Sequence, residues 1–82
     1  MISIESIIAA EMAKVADQYS KQLVPLDGST KLLESGLDSL CFAVLVMRLE
    51  ERLGTDPFSN AEDTGFPTTF GDLVRTYEDA PR

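Results

Sequence analysis

The sequence predicts an all-α bundle of three main helices and one short helix, with a long loop between the first two. Three observations lead there. Apolar residues recur at spacings of three and four near both ends of the chain. An unbroken apolar run, Leu40 to Met47, follows an Asp-Ser pair able to cap a helix. No alternating strand pattern, internal repeat or low-complexity tract is present.

The first helix is expected from residue 4 to about 21. Ile4, Ile7, Ile8, Met12, Val15, Ala16, Tyr19 and Leu23 fall on one face of a 3.6-residue period. Ser3 is its expected N-cap, and Glu5 lies in the first turn, where the helix dipole favours an acid. Pro25 and Gly28 end the pattern.

The connection "KQLVPLDGSTKLLESGL" is long for so small a chain, and loops of that length tend to be functional. Leu23, Val24, Leu26, Leu32 and Leu33 are expected to pin it to the core. Gly36 supplies the backbone freedom of a sharp turn into the next helix.

The second helix is expected from about Ser39 to Leu53, stopped by Gly54, with Asp38 or Ser39 as its cap. Phe42, Leu45, Val46, Leu49 and Leu53 form the inward stripe. Leu40, Cys41, Val44 and Met47 are then left over, and a helix apolar nearly all round is either buried all round or offers a surface to a partner. Cys41 has no Lys or His beside it in sequence to activate a thiol, so it reads as a small semi-buried hydrophobe.

The segment "TDPFSNAEDTGFP" is a loop with at most one short helical turn near 59–64. The last helix begins at "TTFGDLVRTY", where Thr69 and Asp72 make a capping box and Phe70, Leu73, Val74 and Tyr77 face inward.

Composition excludes several functions. The 82 residues suit a single domain over 1–82. Fourteen acids against seven bases give a net charge of −7, which repels nucleic acid. No stretch approaches the roughly 20 apolar residues of a membrane span. The N-terminus lacks the basic leader of a secretory signal, and a lone cysteine fits a reducing cytoplasm. With no histidine, the commonest general base and most zinc sites are missing, so an autonomous enzyme is not expected.

Placed at the mouth of helix two, "LLESGLDSL" (residues 32–40), together with the helix order and the acidity, resembles the acyl carrier protein family. The resemblance covers residues 4 to 78 and implies an acyl-carrier-like four-helix bundle. It also implies that Ser39 takes 4′-phosphopantetheine from coenzyme A through a separate phosphopantetheinyl transferase, with Asp38 presenting the serine. The absence of a catalytic base beside Ser39 is then expected, because another enzyme activates it. The terminal thiol would carry an acyl or aminoacyl thioester, loaded by a ligase and delivered to a downstream acceptor enzyme.

This chain departs from the fatty-acid carriers of that family on helix two. Where those usually show acids, it has Cys41 and Val44, then Met47 and Arg48, with acids returning at Glu50 and Glu51. Leu40, Cys41, Val44, Met47, Arg48 and Glu51 are therefore the expected partner face. The chain, starting at Met1, is expected to act as a stand-alone carrier of amino acid or specialised acyl cargo. The alternative is an unmodified helical adaptor that uses the same apolar face.

Overall fold

The computed structural model describes residues 3–55, 57 and 67–79. Its regular structure is α1 (Ile4–Gln18), a 3-10 turn (Leu32–Glu34), α2 (Ser39–Leu53) and α3 (Phe70–Glu78), with no strand among the described residues. The all-α expectation holds. The short helix expected near 59–64 lies outside the described residues. Among the described residues no helix is long and apolar enough to cross a membrane.

Each helix starts on a side-chain cap that satisfies amides left without a partner in the first turn. Ser3 accepts from the Ser6 amide, and Asp38 from the Cys41 amide at 2.9 Å. Thr69 and Asp72 form the expected reciprocal box: the Asp72 amide donates to the Thr69 hydroxyl and the Thr69 amide to the Asp72 carboxylate. Gly54 closes α2 in the left-handed region, φ 71°, donating to the Glu50 carbonyl.

α1 ends three residues earlier than its periodicity suggests. Ser20 takes a left-handed conformation, φ 57°, and the Lys21 amide turns back to the Ala16 carbonyl at 2.7 Å. That pattern is a Schellman-type stop with serine where glycine is usual.

α1 packs against both α2 and α3. Ile8, Met12 and Val15 of α1, Leu45 and Leu49 of α2, and Leu73 and Tyr77 of α3 are all fully buried. The long loop is held to this core by Leu32 and Leu37, both buried, and by Leu23 and Leu26, which pack against its edge. Val24 and Leu33 do not share that task, because Leu33 is 83% exposed and Val24 lies at the surface. The loop is also paired to the approach of α3. The Leu32 amide donates to the Thr68 carbonyl and the Phe70 amide to the Thr30 carbonyl, around an antiparallel Lys31–Thr69 bridge.

Candidate functional site

The site is built where the exit of α1 runs against the approach to α2. The Val24 amide donates to the Ser35 carbonyl at 3.0 Å. Ser35 is fully buried and its hydroxyl donates to the Leu32 carbonyl at 2.6 Å. Gly36 sits at φ 108°, and a Cβ there would overlap the Gln22 carbonyl oxygen. Only glycine lets the two backbone segments approach this closely. Leu37 then plugs into the core and leaves Asp38 at the mouth of α2.

Asp38 is exposed and extended, and its carboxylate caps α2. The Cys41 amide, aided by the Cys41 side chain and the Lys21 ammonium, holds its pKa down to about 2. Lys21 Nζ lies 3.2 Å from Asp38 Oδ2. Sequence reasoning missed Lys21, because the turn at Ser20 that aims it back toward α2 has no glycine to announce it.

Ser39 occupies the first position of α2 and is exposed. Its hydroxyl makes no hydrogen bond among the described residues, and neither do the amides of Ser39 and Leu40. An accessible hydroxyl therefore stands beside two open N–H groups at the positive end of the helix dipole, next in sequence to the Asp38 that Lys21 pairs with. No base is in hydrogen-bond contact with it, so the turn offers a nucleophile without activating it. Among the described residues no group of His, Cys, Asp or Glu could hold a metal ion.

The face of α2 beside this turn is apolar. Leu40 is 60% exposed and Met47 66%, and half-buried Val44 lies between them with its inner side against the core. Glu51 is exposed on the same stripe, one turn beyond Met47.

Two expected members of that face have other contacts in the structure. Cys41 is fully buried and joins Phe42, Leu45 and Leu49 inside, so no partner can touch it. Arg48 turns inward, its Nε 2.8 Å from Glu11 Oε1. Arg52 reaches the other oxygen of the same carboxylate at 2.8 Å, and Lys14 approaches to 3.3 Å. Glu11 is only 2% exposed. Burial alone would raise its pKa, but the hydrogen bonds and charges of Arg48 and Lys14 outweigh this and leave it lowered. This clamp joins α1 to α2 and draws the Arg48–Arg52 side of α2 onto α1. Val46, expected in the core stripe, is only half buried as a result of that rotation.

A family model described as a phosphopantetheine attachment site matches residues 6–61, more than half of the chain. No curated protein and no solved structure matches the chain significantly.

Proposed function

This chain belongs to the family of acyl carrier proteins that hold 4′-phosphopantetheine covalently, and we propose that Ser39 is its attachment residue. The observation that carries the proposal is the exposed, unbonded Ser39 hydroxyl at the capped first turn of α2. The residues present suit the group. Open amides and the helix dipole favour a phosphodiester anion at that place, and Lys21 adds a positive charge. When bound, the group supplies a flexible thiol that carries cargo as a thioester.

What the chain itself does follows from its side chains. Gly36 and Leu37 fix the turn, Asp38 caps the helix and presents Ser39, and the core holds α2 rigid behind it. Members of this family are generally non-catalytic, and the proposed role here is likewise positioning and recognition. The work of modification falls to a phosphopantetheinyl transferase, loading to an acyl or aminoacyl ligase, and use of the cargo to an acceptor enzyme. Such a single-domain carrier over 1–82 would operate in the cytoplasm.

Leu40, Val44 and Met47 supply an apolar docking stripe, with Glu51 at its far end. A stripe of this kind favours client enzymes that bury a hydrophobic surface over those that read a row of acids. Cargo of the amino acid or specialised acyl type fits that reading better than a growing fatty chain.

The chain's one cysteine is buried, which provides a clean assay. The native protein should react slowly with a thiol reagent. After incubation with coenzyme A and a broad-range transferase, one fast-reacting thiol per chain is expected, and none in Ser39→Ala. A chain that gains no fast thiol contradicts the proposal.

The exposure of Leu40 and Met47 also favours a second reading, an adaptor that binds partners without modification. That reading requires partner binding that survives Ser39→Ala and fails in Val44→Asp.

A further inference from the structure

The turn that presents Ser39 contains a charge problem. Asp38 is ionised, its pKa being held well below the ordinary carboxylate range. A phosphodiester on the next residue would place a second anion beside it, in a chain that already carries a net charge of −7. Like charges on adjacent residues repel at distances shorter than the screening length, about 10 Å at 0.1 M salt.

Lys21 is the cation that the structure joins to this turn by an ion pair, 3.2 Å from Asp38. Its backbone is not free to wander. The left-handed Ser20, the Lys21–Ala16 hydrogen bond and the Val24–Ser35 hydrogen bond fix the exit of α1 against the approach to α2. The close approach of Gly36 to Gln22 tightens the same junction. α1 thus ends early, and its first residues beyond the stop deliver an ammonium to the mouth of α2.

We infer that Lys21 is the counter-ion of the modification site, a positioning residue that offsets Asp38 in the unmodified chain and Asp38 together with the phosphodiester in the modified one. The inference rests on the assignment of Ser39 as attachment residue. It assigns to the segment that leaves α1 a direct electrostatic part in tolerating the prosthetic group. Lysine rather than an acid or a neutral residue is needed because the helix dipole is shared between two anions.

The test compares the thermal stability of unmodified and modified protein, each prepared with excess transferase and verified by mass, for the native chain, Lys21→Gln and Lys21→Arg. Using the change on modification cancels whatever Lys21 does for the fold alone. At low salt, modification should leave the melting temperature of the native chain unchanged or raised. In Lys21→Gln the change should be about 2 to 5 °C less favourable, and Lys21→Arg should restore it. At about 1 M salt, where screening falls to about 3 Å, the difference between the chains should vanish. Equal shifts in the native chain and Lys21→Gln at low salt overturn the role of Lys21 and leave the Ser39 assignment standing. Absence of any mass gain in the native chain overturns both.

Discussion

The two faces of α2 have similar composition and opposite situations. Cys41, Phe42, Leu45 and Leu49 are buried between α1 and the rest of the core. Leu40, Val44 and Met47, interleaved with them in sequence, form a stripe open to solvent at both ends. Hydrophobicity does not distinguish the faces; the rotation of the helix does. That rotation is set from three sides: Asp38 and Gly36 at the start, Gly54 at the end, and the Glu11 clamp along the flank. The inner face supplies stability and leaves Leu40, Met47 and Ser39 exposed.

Substitutions should separate the two faces sharply. The largest loss is expected for Leu45→Ala on the inner face, about 2 to 5 kcal/mol, which is comparable to the total stability of a domain this small. Chemical denaturation should find it largely unfolded near room temperature. Gly36→Ala comes next, because it forces a side chain into a left-handed backbone already touching Gln22. A loss of about 2 to 3 kcal/mol is expected, with slower modification of Ser39 as the turn shifts.

Glu11→Ala tests the clamp. Removing one member of a buried ion pair often costs about 3 to 5 kcal/mol, but here Arg48 and Arg52 are 36% and 42% exposed and can return to water. About 1 to 3 kcal/mol is expected. Arg48→Ala and Arg52→Ala should each cost less, and their effects should not add, because they share one carboxylate.

Acid titration probes the capped end. Asp38 binds its proton more weakly in the folded chain than in the unfolded one, so it stabilises the fold above the ordinary carboxylate range. That contribution is lost as pH falls from near 3.8 through about 2. Carboxyl chemical shifts should show Asp38 ionised at pH 3, and Asp38→Asn should weaken the acid limb of the stability curve. The smallest effect belongs to the outer face. Met47→Ala should change stability by no more than about 0.5 kcal/mol while weakening binding to a client enzyme. A large stability loss there would mean that the stripe is structural.

Much of this arrangement was legible in the sequence because it is local. The bounds of α2, the Thr69–Asp72 box and the need for glycine at 36 all follow from residues within one or two turns of each other. The Ser39 turn was legible for the same reason. What escaped depends on contacts between distant segments. Glu11 reads as one more solvated acid until α2 delivers Arg48 and Arg52 from 37 and 41 residues away. The clamp in turn explains Cys41. The core-facing side of α2 is centred roughly 40° toward Cys41 from the apolar stripe expected at 100° per residue, which draws the thiol in and leaves Val46 at the rim. Lys21 escaped because a left-handed serine has no distinctive sequence signal. Leu33 was expected inside by composition alone, yet the short 3-10 turn points it outward.

The central claim is that Ser39 is the residue that takes the prosthetic group. Intact-mass spectrometry after incubation with coenzyme A and a broad-range transferase, followed by fragmentation of the modified protein, tests it most directly. A gain of about 340 Da, located on Ser39 and abolished in Ser39→Ala, is the predicted result. No gain, or a gain that persists in Ser39→Ala, would contradict it.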